Sequence, residues 1–144
     1  MILVDANLLI YAIDSDSPHH ARSRRWLEET LSGDTPVGLP WLVVLAFVRI
    51  TTRAGIMRNP LSTEQAVGFV DEWLAQPYAV LIGPGENHWR VLRNLLLASG
   101  TAGNLTSDAH LAALSIEHGC EMASADNDFR RFSGVTLVNP LAEQ

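Results

Sequence analysis

The sequence contains no lysine, so its ten basic residues are all arginine, and its formal net charge at pH 7 is −6. An acidic protein of this kind does not attract nucleic acid through long-range charge alone. Arginine nevertheless binds phosphate or carboxylate through paired hydrogen bonds, so clustered arginine is compatible with either partner. A GC-rich genome would explain the absence of lysine equally well. The arginines fall into four groups: Arg22, Arg24 and Arg25; Arg49, Arg53 and Arg58; Arg90 and Arg93; Arg130 and Arg131.

The single cysteine and the lack of long apolar runs also limit the class of protein. Cys120 is the only cysteine, so no disulfide can form within the chain, and we expect a reducing, cytoplasmic setting. The longest apolar run, residues 41–48, is too short to span a bilayer, so we expect no membrane partner. Asp5 interrupts the N-terminus before the apolar segment of a signal peptide could form. With 144 residues, of which 47% are hydrophobic, the chain is expected to form one globular domain.

Strand-like and helix-like segments alternate along the chain, which predicts an α/β fold. Short apolar runs predict about five strands, and amphipathic segments with capping residues predict the helices between them. This alternation is typical of a single parallel sheet covered by helices on both faces. Residues 99–103 are expected to form a flexible link before the last helix. The predicted strands are 2–4, 36–39, 79–82, 121–124 and 135–138, and the predicted helices are 8–13, 19–31, 40–54, 62–74, 84–97 and 108–118.

Four aspartates occur at turns of this predicted architecture. Asp5 follows the first strand, Asp108 lies in the first turn of a helix, and Asp126 and Asp128 follow the fourth strand. Each has a structural explanation, because aspartate also caps helices, complements a helix dipole and forms turns. Ligands of open α/β sheets, however, gather at the carboxyl ends of the strands. Taken together, the four positions therefore predict a shared site.

Carboxylates without histidine or cysteine ligands select a hard cation, so this pattern favours Mg²⁺ or Mn²⁺ over Zn²⁺. Such a cation neutralises phosphate and activates water, which predicts hydrolysis of a phosphodiester. We assign Asp5, Asp108 and Asp126 as metal ligands and Asp128 as a fourth catalytic residue. The five histidines occur on separate segments and are expected to be structural, although His110 follows Asp108 by only two positions.

Three segments resemble the motifs of PIN-domain nucleases, and in particular the VapC toxins of bacterial toxin–antitoxin pairs. They are residues 3–7 (LVDAN), 104–114 (NLTSDAHLAAL) and 124–132 (SADNDFRRF), and the similarity extends over residues 1–144. The resemblance implies a single PIN domain with a five-stranded parallel sheet and a Mg²⁺- or Mn²⁺-dependent endoribonuclease activity on structured RNA, often tRNA. It also implies a homodimer and inhibition by a VapB-type antitoxin, whose C-terminal segment can place an arginine in the acidic pocket.

One position departs from the family pattern. The second acidic residue of the family is usually a glutamate in a context like EFVR, where this sequence has Ala46, Phe47, Val48 and Arg49. No acidic residue occurs between Asp34 and Glu64 that could replace it. Three interpretations are open: Asp128 completes the site, which we favour; the affinity for metal is lower and the RNA phosphate fills the vacancy; or catalysis is lost and only binding remains.

Candidate contacts for RNA or antitoxin follow from the same segments. Arg49 and Arg53 share a helical face with Ala46, so one of them could contact the RNA backbone near the cut. The alternative is an ion pair that holds this helix to the pocket carboxylates. Asn7 and Asn104, within the matching motifs, are further candidate contacts. The apolar surfaces of helices 41–48 and 66–74 are candidates for the dimer interface.

Other functional classes fit the sequence less well. A receiver-type phosphotransfer protein needs a lysine near its phosphorylated aspartate, and this chain has none. A dehalogenase-type phosphotransferase has a second aspartate two residues after the first, where this chain has Asn7. No glycine-rich phosphate loop follows a predicted strand, which argues against a nucleotide-binding module. The main alternative is a PIN fold that binds RNA or a partner protein without cleaving RNA.

Overall fold

The computed structural model describes residues 1–100 and 102–142, and in this part of the chain five strands form one parallel sheet. The strand order is β3-β2-β1-β4-β5, and every neighbouring pair is parallel. The predicted sheet is therefore confirmed. The strands are β1 (Ile2–Val4), β2 (Val37–Pro40), β3 (Ala79–Ile82), β4 (Glu121–Ala123) and β5 (Leu137–Val138).

Six α-helices connect these strands within the described residues. The chain passes from β1 through β2 to β3 and then returns to β4 on the other side of β1. Because parallel crossovers are right-handed, the helices of the first half and those of the second half cover opposite faces of the sheet. The helices are α1 (Ala6–Ile13), α2 (His20–Ser32), α3 (Trp41–Thr51), α4 (Thr63–Leu74), α5 (His88–Ser99) and α6 (Thr106–His118).

Local sequence accounts for several helix ends. At α4 the predicted capping box is present: Gln65 N–H donates to Ser62 Oγ (3.1 Å), and Ser62 N–H donates to Gln65 Oε1 (2.9 Å). Helix α3 ends earlier than predicted, where the Thr51 and Thr52 hydroxyls donate back to the carbonyls one turn before them. Gly100 ends α5 in the left-handed conformation. Thr101, within the predicted flexible link, lies outside the described residues.

Several other boundaries differ from the prediction by one to four residues. Helix α5 begins at His88 rather than at residue 84, and Gly85 N–H, which precedes the helix, donates to the side chain of Glu117. Strand β5 is limited to two residues, since Gly134 adopts a positive φ of 92° and the chain turns just before the strand. None of these differences changes the topology.

The core places the carboxyl ends of β1 and β4 side by side. Leu3 and Val4 of β1 are fully buried, since this strand lies at the centre of the sheet. A Cβ at Gly38 of β2 would lie 2.6 Å from Leu3 Cδ2, so a side chain at this position would require the Leu3 side chain to shift. Helix α6 packs through small residues, Ala109 and Ala112, which are also fully buried. No helix in residues 1–100 or 102–142 is both long enough and apolar enough to cross a membrane.

Candidate active site

The switch in strand order lies between β1 and β4, which is where ligands bind in open α/β sheets. Val4 pairs with Ala123, so Asp5 and Ser124 leave their strands next to each other. Asp5 N–H donates to the Ala123 carbonyl (2.9 Å), and Ser124 Oγ donates to Asp5 Oδ2 (2.6 Å). Two strands that are distant in sequence therefore fix the first predicted site residue.

Asp5 also caps α1, because its Oδ1 accepts a hydrogen bond from Ala6 N–H (2.7 Å). The capping and functional interpretations of Asp5 are thus compatible, and Asn7 does not serve as the cap. Asn7 instead reaches across to β4, where its Nδ2 donates to Ser124 Oγ (3.2 Å) and its Oδ1 accepts from Ala125 N–H (3.3 Å). This predicted contact residue is therefore part of the framework of the site.

Ser124 is the residue that joins these groups, and sequence reasoning missed it. The side chain is fully buried, and its hydroxyl accepts from Asp126 N–H (3.0 Å) in addition to its contacts with Asp5 and Asn7. The sequence signal for Ser124 is its position between the fourth strand and Asp126. A serine at that position also fits the end of a strand with no functional role. The hydroxyl aligns the backbone of Asp126 with the side chain of Asp5.

Asp126 and Asp128 open the short 3₁₀ helix Asn127–Arg131. Asp126 caps it, with Oδ1 accepting from Asp128 N–H (2.8 Å). Phe129 is 1% exposed and anchors the helix to the core. Asp126 is half-buried and Asp128 is exposed, so the two carboxylates occupy different depths of the site.

Asp108 lies in the first turn of α6, and its pKa shows that the four predicted carboxylates interact. Burial and the negative charges of Asp5, Asp126 and Asp128 raise the pKa of Asp108 to about 6. The positive charge of Arg131 lowers this pKa and so opposes part of the shift. Burial also raises the pKa of Asp5, although its hydrogen bonds from Ser124 and Ala6 favour the charged form. The fold therefore concentrates negative charge at one edge of the sheet, where a cation would relieve the repulsion.

The donor set fits a hydrated hard cation better than a fully enclosed ion. Among the described residues, no three His, Cys, Asp or Glu side chains are grouped closely enough to hold a metal ion by themselves. Mg²⁺ commonly keeps several waters and binds through one or two carboxylates together with substrate phosphate. Ala46, half-buried in α3, adds no ligand where the family usually has glutamate. Asp5, Asp108 and Asp126 are the residues that could hold such an ion.

The predicted arginine contacts lie outside this framework. Arg49 and Arg53 are exposed, and neither forms an ion pair within residues 1–100 or 102–142. The alternative in which Arg49 pairs with a pocket carboxylate is therefore not what the structure shows. Arg131 is the arginine whose charge acts on Asp108, and sequence reasoning had noted it only as part of a cluster. Asn104 is exposed in the 3₁₀ turn Gly103–Leu105, just before α6.

His88 of α5 and His110 of α6, which lie on separate segments of the sequence, are in contact where the two helices pack. The His88 and His110 rings share a hydrogen bond between Nε2 and Nδ1 (2.9 Å), and His88 Nδ1 lies 3.1 Å from Glu117 Oε1. Burial and the neighbouring His88 lower the pKa of His110. Burial opposes a low pKa at Glu117, but hydrogen bonds from Gly85 and His88 prevail and lower it. This cluster joins α5 to α6 and supports the structural interpretation of both rings.

A groove on another part of the protein is separate from the carboxylates. It has a volume of about 490 Å³ and lies where the end of α1 meets α2 and α4. Its wall is mixed, with Leu27, Phe69 and Trp73 beside the charged Arg24 and Glu28. None of the four predicted aspartates lines this groove.

Comparison with known proteins gives a consistent family relationship. The PIN domain family matches residues 2–135. Ribonuclease VapC37 of Mycobacterium tuberculosis is 47% identical over 142 residues, which cover 99% of each chain. Ribonuclease VapC33 of the same species is 41% identical over 143 residues, covering 99% of this chain and 100% of that protein.

Solved structures share the fold at lower identity. The VapBC2 complex of Rickettsia felis, bound to a promoter DNA fragment, matches with a TM-score of 0.71 and 17% identity, covering 96% of this chain and 98% of that chain. VapC20 of Mycobacterium tuberculosis, described as a toxin that cleaves the sarcin–ricin loop, matches with a TM-score of 0.66 and 16% identity, covering 94% and 99%. At these identities the similarity establishes the architecture.

Proposed function

Because this chain belongs to the PIN-domain ribonucleases of the VapC family, we propose that it is a Mg²⁺- or Mn²⁺-dependent endoribonuclease and the toxin of a VapBC-type module. The observation that supports metal dependence is the interaction of Asp108, in the first turn of α6, with the three carboxylates that follow β1 and β4. Their mutual repulsion favours binding of a cation. A phosphodiester entering such a site would bring its own oxygen ligands to the ion.

The residues of the chain have distinct tasks in this proposal. The metal ion, when bound, would lower the pKa of water and neutralise phosphate charge. Asp5, Asp108 and Asp126 would hold it, and Ser124 would favour the charged form of Asp5 and align it by donating a hydrogen bond. Asp128, exposed at the edge of the site, would orient water and accept a proton. It would partly compensate for the absence of an acidic side chain at Ala46.

The direct test is cleavage of total cellular RNA by purified protein with Mg²⁺ or Mn²⁺, compared with EDTA. Discrete cuts that require metal and disappear in Asp5→Asn would support the proposal. Asp71→Asn is a matched control, because Asp71 is an exposed aspartate of α4 that takes no part in the site. Cuts that persist in EDTA or in Asp5→Asn would contradict a metal-dependent reaction at this site.

A second candidate function is binding of RNA or a partner protein without cleavage. The observation that favours it is Ala46, which leaves the site one carboxylate short of the usual family set. Folded protein that binds Mn²⁺ and RNA but cuts no RNA would establish this alternative. Such protein should first be shown to be free of antitoxin.

We propose structured RNA as the substrate, with tRNA as the class to test first. Digestion of a purified tRNA pool, followed by mapping of the new 5′ ends, would identify cut sites directly. Cuts confined to one loop of a few tRNAs would support recognition of structure. If ribosomal RNA alone were cut, the assignment to tRNA would be wrong while the ribonuclease proposal remained.

We propose a VapB-type antitoxin as the protein partner. Related folds occur in toxin–antitoxin complexes from Rickettsia felis, Salmonella typhimurium and nontypeable Haemophilus influenzae. The negative charge at Asp5 and Asp108 suits an arginine of such a partner, which would compete with the metal ion. Added antitoxin should therefore inhibit cleavage less at high Mn²⁺ concentration; inhibition independent of Mn²⁺ would contradict direct competition.

We also propose a homodimer that uses the exposed apolar side chains of α3 and α4. Trp41 and Leu45 are 53% and 61% exposed and lie one turn apart on α3, and Val67 of α4 is 45% exposed. Leu45→Arg should produce monomers in light scattering coupled to size exclusion. Leu97→Arg is the control, because Leu97 is similarly exposed on α5; an unchanged dimer in Leu45→Arg would place the interface elsewhere.

A further inference from the structure

Arg22 of α2 holds the segment that follows β5. Its Nη1 donates to the Leu141 carbonyl (3.2 Å), and its Nη2 lies 3.4 Å from the carbonyls of Pro140 and Ala142. The fork of a guanidinium can engage several carbonyls at once, which a single ammonium cannot do as well. Arg22 is therefore bound to the chain although it is exposed, and Arg25 on the same helix is exposed as well.

Asn139 connects this held segment to the acidic site. Its Nδ2 donates to the Ala125 carbonyl (3.3 Å) and to Asn127 Oδ1 (3.0 Å), and its Oδ1 accepts from Leu141 N–H (3.0 Å). Pro140 restricts the backbone of the residue before it to extended conformations, so Asn139 has few alternatives. The amide is thus fully engaged and fixed in orientation.

The two acceptors of Asn139 belong to the residues on either side of Asp126. The backbone N–H of Asp126 is held from within the sheet by Ser124 Oγ (3.0 Å), while Asn139 holds the turn from the outer side. We propose that Asn139, itself fixed by Arg22, is a positioning residue that sets the orientation of the Asp126 carboxylate and hence the affinity of the site for a divalent cation. This inference rests on the proposed metal-dependent function.

A purely structural role for the segment would give different results. Loss of the contacts made by residues 139–142 alone would lower the melting temperature of the protein without changing its affinity for Mn²⁺. Loss of positioning would weaken Mn²⁺ binding even where the protein stays folded, because outer partners of metal ligands typically contribute roughly 10–100-fold in affinity. Metal affinity and stability therefore have to be measured on the same variants.

The test is calorimetric titration of Mn²⁺, without RNA, into the wild type, Asn139→Ala and Asn139→Leu. Asn139→Leu keeps the approximate volume of the side chain but loses both donors to residues 125 and 127, and neither variant adds a charge near the site. We expect both variants to bind Mn²⁺ roughly tenfold or more weakly. Asn59→Ala is the matched control, since Asn59 makes one side-chain hydrogen bond to Asp16.

The second arm measures how far Mn²⁺ raises the melting temperature of each variant. A smaller Mn²⁺-induced rise in melting temperature in Asn139→Ala and in Arg22→Met, but not in Arg25→Met, would support the proposal. It would show that the contacts from Arg22 through Asn139 to the turn around Asp126 affect metal binding. If the variants were less stable yet bound Mn²⁺ within about twofold of the wild type, the positioning role would be wrong. Wild-type protein that bound no Mn²⁺ would instead contradict the proposed function itself, so the two failures are distinguishable.

Discussion

Ser124 Oγ and Asp5 Oδ2 lie 2.6 Å apart although 119 positions separate the two residues in the sequence. The hydrogen bond crosses the central strand pair at the point where strand order switches. Because a buried hydroxyl donor favours the charged carboxylate, this contact offsets part of the effect of burial on the pKa of Asp5. One predicted site residue and one serine that the sequence did not single out thus form the base of the site.

Replacement of this hydroxyl should impair activity more than folding. We expect Ser124→Ala to lose about 1–2 kcal/mol of stability, because Asp5 and Asn7 lose a shared partner. Cleavage at limiting Mn²⁺ should fall roughly 10–100-fold. Ser115→Ala is the control, since Ser115 is also buried but donates only to a backbone carbonyl of its own helix. Equal cleavage by both variants would argue against a role for Ser124 in the site.

The metal-free protein should become less stable as Asp108 ionises. Its pKa is about 6 in the folded state, above the usual value of 3.8, so the unfolded state loses this proton first. Stability should therefore fall as pH rises from about 4 to about 6 and change little above that. Asp108→Asn should be more stable than the wild type by about 1 kcal/mol at pH 7.5, after allowance for solvent screening. Denaturant unfolding at several pH values would measure this; a variant less stable at pH 7.5 would contradict it.

Arg131 should lower the pKa of Asp108 in the metal-free protein, because its positive charge favours the carboxylate. Arg131→Gln is expected to move that pKa upward by several tenths of a unit, as befits an exposed charge. Arg130→Gln, at the adjacent exposed arginine, should leave it unchanged. NMR titration of the labelled carboxyl carbon gives the measurement. Identical pKa values in the two variants would show that Arg131 does not act on this site.

Ala46→Glu tests whether the position still borders the site. An added carboxylate there should increase repulsion, so the metal-free protein should melt at a lower temperature. The same charge should strengthen Mn²⁺ binding by about tenfold and raise cleavage at low Mn²⁺. Ala98→Glu, at an exposed position of α5, controls for a new surface charge. Unchanged Mn²⁺ affinity in Ala46→Glu would mean that this part of α3 faces away from the ion.

The strands, most helices and the meeting of the aspartates were predictable because they follow from local patterns. Short apolar runs gave the strands, and residues that directly follow parallel strands must meet at one sheet edge. The capping box at Ser62 and Gln65 was equally local and is confirmed. The roles of the four aspartates in metal binding and catalysis remain predictions.

The features that escaped prediction depend on packing between distant segments. The contact of His88 with His110 requires α5 to lie against α6, which no periodicity in either helix specifies. The sequence showed Arg22 only as one of a group of three arginines, because its carbonyl acceptors are about 120 positions away in the sequence. Arg131 was one of two adjacent arginines, and only the three-dimensional path of the 3₁₀ helix distinguishes it from Arg130.

The central position of β1 also affects when the acidic site can form in a newly made chain. Asp5 leaves the ribosome before Ser124, which follows 119 positions later. At typical translation rates that interval is on the order of ten seconds. Until then β1 has no β4 beside it, and the acidic pocket has only one wall. A site divided in this way between β1 and β4 is therefore assembled only after residues 121–128 have been made.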